Sequence, residues 1–150
     1  MKTNIQTYDP LSNYNIAIKT LIENNIRPTK QRRILAKILF NGLPRHVSAE
    51  NLFIDVKKED RKISLATIYN TLKQFTKVGL LREIVVDQNK SLYCTNKKSH
   101  YHLYIEDEGK VIDIPVKNID LDIPSIPACL NLHDVDVIVR IRTLKDKKDN

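Results

Sequence analysis

The hydrophobic pattern of this chain changes once, from helical spacing to strand spacing, and this change limits the folds that it can adopt. Up to residue 79, apolar residues recur at steps of three and four, which predicts amphipathic helices. From residue 80 onward, short apolar and β-branched runs flank turn-forming residues, which predicts hairpins. We therefore predict an α+β fold.

Four helices are predicted in the first part of the chain. The second and third each follow a hydroxyl residue that can accept a bond from the helix N-terminus, namely Thr29 and Ser48, and the fourth is predicted to begin at Ser64. Residues 43–47 are predicted as a turn. The fourth helix is expected to end at Gly79, because glycine readily adopts the left-handed conformation that closes a helix.

A hairpin is predicted directly after the fourth helix. Its strands are 80–86 and 91–95, and they flank a four-residue turn at 87–90. Three helices followed by a hairpin are typical of a winged helix-turn-helix. We therefore assign residues 1–95 to one domain of this kind.

The rest of the chain predicts a second, smaller domain over 100–150, after a polar linker at 96–99. A second hairpin turns at 106–109, and prolines keep the following stretch irregular. Apolar residues then alternate with others over 135–142, which predicts a strand with one apolar face.

The excess of positive charge lies entirely in the first part of the chain. Residues 1–95 hold 16 Lys and Arg against 8 Asp and Glu, whereas residues 96–150 hold 9 against 10. A basic unit joined to a nearly neutral one is typical of a nucleic-acid-binding module that carries a sensing or dimerising module. A solvated basic surface would give the same charge distribution.

The outer face of the fourth helix carries residues suited to reading DNA. In the major groove, asparagine can bond to adenine, and threonine or tyrosine can pack on the thymine methyl group. The candidates for base contact are Thr67, Tyr69 and Asn70. The candidates for phosphate contact are Lys30, Arg32, Arg33, Lys73 and Lys77. The alternative is the solvated face of an ordinary amphipathic helix.

A metal site is predicted on the second hairpin. Alternation along a strand places His100 and His102 on one face. If the loop is 106–109, residue 105 pairs with 110, and therefore residue 102 pairs with Asp113. Two imidazoles and a carboxylate suit zinc, iron or manganese. A pair of polar residues at the start of a strand is the alternative.

The roles of the other candidate ligands stay open at this point. His46 precedes the third helix and is either a ligand or a surface residue. Cys94 is either a thiolate ligand or a buried core residue. His133 has no partner that the sequence identifies. No catalytic motif is evident, which argues against an enzyme. The rival class is an enzyme that uses the two histidines and the aspartate as a catalytic metal centre.

Two further classes are excluded by composition. No apolar stretch approaches the ~20 residues of a membrane helix, so we expect a cytoplasmic protein. The two cysteines, Cys94 and Cys129, cannot form a four-cysteine zinc site.

Together these motifs resemble the ferric uptake regulator (Fur) family over about residues 18 to 142. The matching segments are Arg27-Pro28-Thr29-Lys30-Gln31-Arg32, His46-Val47-Ser48-Ala49-Glu50, Ala66-Thr67-Ile68-Tyr69-Asn70-Thr71-Leu72, Phe75, Gly79-Leu80, His100-Tyr101-His102 and Gly109-Lys110-Val111-Ile112-Asp113. The resemblance implies a homodimeric, metal-responsive transcription factor with an N-terminal winged helix and a C-terminal α/β dimerisation domain.

The resemblance also implies a regulatory metal site. Its ligands fall on His46, His100, His102 and Asp113. A fifth ligand, normally acidic, falls on Cys94, and this departure leaves the preferred metal open. The implied cofactor is iron(II) or manganese(II), with haem as a further candidate.

Two other metal sites of the family are altered here. Ile105 and Glu108 replace its paired cysteines, so we expect no structural zinc. The positions of its second inter-domain site hold Ser99, Tyr101, Asp120 and Val135.

The missing cysteines, Asn70 and the 135–142 segment look most like the iron response regulator (Irr) branch, which controls iron uptake and haem synthesis. The Cys-Pro haem signature of some members is absent, because neither cysteine precedes a proline. The expected function is regulation of iron or haem homeostasis by a homodimer on an inverted-repeat, A·T-rich operator. The alternative is the peroxide-sensing branch, which shares His100-Tyr101-His102.

Overall fold

The computed structural model describes residues 10–144. The chain forms two compact units, each with more contacts inside it than to the other, and the boundary lies between Lys97 and Lys98. The first nine residues of the predicted 1–95 domain and the last six of the predicted 100–150 domain lie outside the described residues.

The first unit contains four α-helices. They are α1 (Pro10–Glu23), α2 (Lys30–Phe40), α3 (Ala49–Lys58) and α4 (Leu65–Lys77). The predicted caps Thr29 and Ser48 are confirmed, because their side chains accept backbone N–H bonds from α2 and α3. Ser64, predicted as the first residue of the fourth helix, is the cap of α4 and accepts such a bond in the same way. Each cap satisfies a backbone donor that the helix leaves unbonded, which fixes where the helix begins.

The end of α4 is closed by Gly79, as the sequence predicts. This residue has φ +77°, its N–H donates to the carbonyl of Thr76, and the N–H of Leu80 donates to that of Phe75. These two bonds form a Schellman closure, which requires the left-handed conformation that glycine adopts without strain. The chain therefore turns sharply from α4 into the first sheet.

This sheet has three strands rather than the two predicted, in the order β1 (His46–Val47), β3 (Lys90–Cys94), β2 (Arg82–Asp87). The predicted turn at 43–47 is partly wrong, because His46 and Val47 pair with Cys94 and Tyr93. A two-residue strand is too short to show an alternating pattern in the sequence, and therefore periodicity could not predict β1.

The hairpin turn is also shorter than predicted. Asp87 pairs with Lys90, which leaves a two-residue turn, and an irregularity between Val85 and Asp87 shifts the register. Asp87 and Lys90 were predicted as part of the turn, but their backbones pair as the last residues of the two strands. Two-residue turns are common in hairpins, and the local sequence did not distinguish this turn from a four-residue one.

The core of the first unit joins all four helices to the sheet. Leu21, Leu39, Leu52 and Phe75 are at most 1% exposed, and they represent α1, α2, α3 and α4 in turn. Because each helix buries one apolar stripe here, its opposite face is left in solvent.

The second unit is a three-stranded sheet in the order β5 (Lys110–Pro115), β4 (His100–Ile105), β6 (Ile138–Ile141). Strands β4 and β5 are antiparallel, and β6 lies parallel to β4. The predicted register is confirmed: Ile105 pairs with Lys110, and His102 pairs with Asp113.

Two expectations for this unit need correction. The last strand is 138–141, so residues 135–137 and 142 of the predicted strand lie outside it. Between residues 98 and 144 the structure contains strands and one 3₁₀ turn (Val116–Asn118) but no α-helix, whereas an α/β domain was expected. Prolines at 115, 124 and 127 oppose a continuous helix across this stretch.

Among the described residues, no helix is long and apolar enough to cross a membrane.

Candidate metal centre and nucleic-acid interface

Three side chains on β4 and β5 converge on one point of the second unit. The Nε2 atoms of His100 and His102 lie 2.9 Å apart, and they lie 3.3 and 3.6 Å from Oδ1 of Asp113. His100 and His102 are buried, while Asp113 is partly exposed. The alternation of β4 and the register of the hairpin bring these three donors together.

The donor set fits a first-row divalent cation. Ligand atoms that each bind one ion at about 2.1 Å lie roughly 3 Å from one another, which matches the observed separations. The Nδ1–H of His100 donates to the carbonyl of Lys98 at 2.5 Å. A ring held in this way keeps Nε2 unprotonated in the neutral form and directs its lone pair to the cluster.

The other two predicted ligands lie in the first unit, next to each other. His46 on β1 pairs directly with Cys94 on β3, and a ring nitrogen of His46 lies within 4.8 Å of the Cys94 sulfur. Cys94 is 1% exposed. Next to this pair, the N–H of Thr95 donates to the carbonyl of Arg45, and the N–H of Arg45 donates to the hydroxyl of Thr95. A 2.5 Å ion pair joins Arg45 to Asp55 on α3.

The remaining histidine and cysteine lie elsewhere. His133 and Cys129 are exposed in the irregular stretch before β6.

The predicted base-reading residues lie on one exposed side of α4. Tyr69 and Asn70 are exposed, as are the predicted phosphate contacts Lys73 and Lys77. Thr67 is partly buried, and its hydroxyl lies 2.9 Å from that of Ser64 in the helix cap. Thr67 therefore also has a role in starting the helix.

The three basic residues of α2 differ in how they are held. Lys30 is exposed. Arg32 is half-buried. Its guanidinium donates to the side-chain oxygen of Gln74 at 2.9 Å and to the carbonyl of Arg27 at 2.7 Å. Arg33 donates to the carbonyl of Pro28. The bonds of Arg32 join α2 to α4, so this side chain positions the helix in addition to carrying charge.

Glu50 is a residue of this surface that the sequence analysis did not identify as functional. The hydroxyl of Tyr69 donates to the carboxylate of Glu50 on α3. This bond is the first cause that raises the pKa of Tyr69 and lowers the pKa of Glu50. The two residues are 19 positions apart, and no spacing rule connects two helices across a turn.

A winged helix-turn-helix with a basic exposed helix, followed by a sheet that gathers two histidines and an aspartate, defines a metal-responsive transcription regulator. The model of the ferric uptake regulator family matches residues 23–141, and the chain belongs to this family. Its members bind DNA as dimers, and they are regulators and not enzymes.

Individual relatives agree with this assignment. The peroxide operon regulator of Bacillus subtilis is 30% identical over 104 residues, which cover 69% of this chain and 71% of that protein. The ferric uptake regulator of Pseudomonas aeruginosa with manganese shares the fold, with a TM-score of 0.65 at 21% identity, over 87% of this chain and 99% of that one. A zinc-bound manganese uptake regulator is 28% identical, with a TM-score of 0.59, over 85% and 98% of the two chains.

Proposed function

We propose that this chain is a homodimeric regulator of iron or haem homeostasis that binds an inverted-repeat operator in response to a bound metal. The observation that carries the proposal is the convergence of His100, His102 and Asp113 within 3.6 Å of one another. Buried imidazoles beside a carboxylate are the donors that iron(II) and manganese(II) bind in proteins.

The three residues would hold the metal through Nε2 of each histidine and a carboxylate oxygen. A bound divalent cation supplies positive charge and a fixed coordination point among these donors. The Lys98 carbonyl orients His100, and the strand pairing orients His102 and Asp113, so the donors are organised before any ligand arrives.

We propose, from the sequence resemblance, that His46 and Cys94 are further ligands of the same regulatory metal. Their direct pairing in the first unit supports a joint role. The thiolate of Cys94, in the position of an acidic ligand, would favour softer metals than a carboxylate does. Haem is a further candidate, and without a Cys-Pro signature its iron would bind the histidines.

The DNA-binding surface is proposed to be the exposed side of α4, with the hairpin β2–β3 as the wing. Tyr69 and Asn70 would contact base edges, with Thr67 beside them at the start of the helix. Lys30, Arg33, Lys73 and Lys77 would contact phosphates, together with Arg32. Two-fold symmetry of a homodimer then requires an inverted repeat, and these side chains favour an A·T-rich one.

Exposed apolar side chains support the homodimer. Several large apolar residues of the irregular stretch in the second unit are exposed, at 37 to 62%. They are Leu121, Ile123, Ile126, Leu130 and Leu132. Since an apolar surface of this kind is favourable to bury, a second copy of the chain is its proposed partner.

Metal binding can change DNA binding only through a different affinity for two arrangements of the protein. A coupling of about 1–3 kcal/mol is ordinary for such regulators and corresponds to roughly 5- to 150-fold in DNA affinity.

The test is fluorescence anisotropy on an A·T-rich inverted repeat at fixed salt, with chelator, manganese(II), iron(II) or haem. We expect affinity to depend on one of these ligands, and His102→Ala to abolish that dependence. His133→Ala, which changes an exposed histidine outside the cluster, is the matched control and should respond as the natural protein does. Tight binding that no ligand changes would instead indicate a ligand-independent DNA binder.

A peroxide-sensing regulator that uses a bound iron or manganese is the second candidate. The 30% identity to the Bacillus subtilis peroxide operon regulator favours it. If peroxide releases DNA from the iron(II)-loaded protein and leaves the metal-free protein unchanged, peroxide sensing replaces iron or haem homeostasis as the function. The cytoplasmic location expected from the sequence stays a prediction.

A further inference from the structure

The hydroxyl of Tyr69 bonds to Glu50, a residue outside the proposed set of DNA contacts. Glu50 lies in the first turn of α3, and its carboxylate accepts a hydrogen bond from the Tyr69 hydroxyl on α4. Tyr69 is nevertheless 38% exposed. The bond therefore joins the two helices of the helix-turn-helix at the surface proposed to meet DNA.

A cleft of about 480 Å³ adjoins this pair. It lies between α4 and the first hairpin, and its walls include Glu50, Tyr69, Lys73, Glu83 and Lys90. Glu50 and Glu83 thus lie on the same basic surface as the lysines. A carboxylate here repels DNA phosphates and lowers affinity, so retaining one at Glu50 calls for a specific benefit.

That benefit follows from the bonding capacity of a phenol. A tyrosine hydroxyl has one proton to donate and two lone pairs that accept. With the proton held by Glu50, Tyr69 cannot donate to a phosphate or to the acceptor atoms of guanine. It can still accept a bond from an amino group, and its ring can pack on a methyl group.

In the major groove, only an A·T pair offers both an amino donor and a methyl group. A C·G pair has an amino donor but lacks the methyl group, and its guanine presents two acceptors. A tyrosine restricted to accepting therefore discriminates in favour of A·T.

We propose that Glu50 is a specificity-determining positioning residue, which makes Tyr69 an A·T reader by accepting the one hydrogen bond that its hydroxyl can donate. The inference rests on the proposed DNA-binding function of α4. Glu50 acts through Tyr69 and needs no contact with a base of its own. It lowers affinity for all DNA and in exchange raises the difference between right and wrong sites.

The test compares operators that differ at one position in each half-site. The metal-loaded protein is titrated by anisotropy with its preferred inverted repeat, with a copy in which the A·T pair read by Tyr69 is G·C, and with a copy in which that thymine is uracil. A binding selection with the natural protein, repeated with Tyr69→Phe, identifies this position beforehand.

The natural protein should discriminate against the G·C copy by roughly 5- to 150-fold for each half-site, the usual cost of one mismatched pair, and the two half-sites together should give roughly the square of that factor. Glu50→Ala should lose most of that discrimination and bind all three DNAs more tightly. Glu50→Gln, which keeps an oxygen that accepts the Tyr69 proton, should retain the discrimination while gaining affinity. If Glu50→Ala does not fold, as judged by thermal unfolding, Glu50→Met replaces it.

Glu83→Ala is the matched control. It removes a carboxylate from the same cleft without touching the hydroxyl of Tyr69, so it should raise affinity for all three DNAs equally. In the Tyr69→Phe background, Glu50→Ala should leave discrimination unchanged.

Two results would overturn the inference. The first is that Glu50→Ala discriminates between the DNAs as well as Glu83→Ala does. The second is that Glu50→Ala still reduces discrimination in the Tyr69→Phe background, which would mean that Glu50 itself contacts a base. A natural protein without preference for any DNA sequence would refute the proposed function as well. The two failures are therefore distinguishable.

Discussion

His102 and Asp113 face each other directly across two antiparallel strands, with His102 Nε2 3.6 Å from Asp113 Oδ1. This relationship depends on a four-residue loop, 106–109, that fixes the register of the hairpin. A slip of one residue would move Asp113 to the opposite face of the sheet, away from both histidines. The candidate metal centre is therefore specified by strand pairing as much as by the identity of its proposed ligands.

Asp113→Asn should weaken manganese(II) binding at least about tenfold, because an amide oxygen replaces a charged ligand. Isothermal titration calorimetry of the purified protein measures this change. Asp122→Asn removes an exposed carboxylate of the same unit and should leave the affinity unchanged. Equal affinities for the natural protein and Asp113→Asn would exclude Asp113 as a ligand.

Cys94→Asp should raise the affinity for manganese(II) relative to zinc(II), because a hard carboxylate replaces a soft thiolate. Competition titrations with the two metals give the ratio. Cys129→Asp, at an exposed position, is the control and should not move it. An unchanged ratio in Cys94→Asp would mean that the sulfur is a core atom and not a ligand.

Gly79→Ala should lower the free energy of unfolding by about 1–2 kcal/mol, since a side chain at φ +77° is strained even though the space around this glycine is open. Urea denaturation followed by circular dichroism measures the difference. Gly42→Ala, also in open space but without a positive φ, should change stability far less. Equal effects of the two substitutions would argue against the Schellman closure.

The pKa of Asp107 should lie below its ordinary value because Thr143, beyond β6, bonds to this carboxylate through its side chain and its backbone N–H. A carboxyl whose pKa is lower in the folded protein contributes stability above its unfolded pKa of about 3.9. That contribution is lost as the pH falls through the folded value. Carbon-detected NMR titration measures the pKa, and Thr143→Ala should raise it, whereas Thr143→Ser should not.

Tyr69→Phe should raise the pKa of Glu50 toward its ordinary value, because the tyrosine hydroxyl is the first cause that lowers it. The same NMR titration checks this in the absence of DNA. Tyr93→Phe, which removes a hydroxyl from the other wall of the cleft, should have a much smaller effect. An unshifted pKa in Tyr69→Phe would show that the bond does not persist in solution.

Local signals predicted much of the first unit. Thr29, Ser48 and Ser64 mark the starts of three helices, because a capping hydroxyl is a property of the residue and its immediate neighbours. Gly79 marks the end of α4 for the same local reason. The hairpin register in the second unit also follows from local information, since one loop length fixes every pair.

Elements that depend on a distant partner were predicted less well. Strand β1 is two residues long and exists because His46 and Val47 bond to β3, nearly fifty positions later. The last strand was predicted too long, because its apolar alternation extends beyond the residues that pair with β4. Periodicity reports which side chains prefer burial, while strand limits are set by the backbone of a neighbour.

The sequence by itself determined the α+β class, the starts of three helices, the end of α4 and the grouping of His102 with Asp113, because these depend on periodicity, caps and one short loop. Only the tertiary structure decided that His46 pairs with Cys94, that Arg32 bonds to α4, and that Glu50 holds the hydroxyl of Tyr69. Each of these contacts joins residues that are 19 to 48 positions apart on different elements. Their distance in space is fixed by how whole helices and strands pack, which no local pattern encodes.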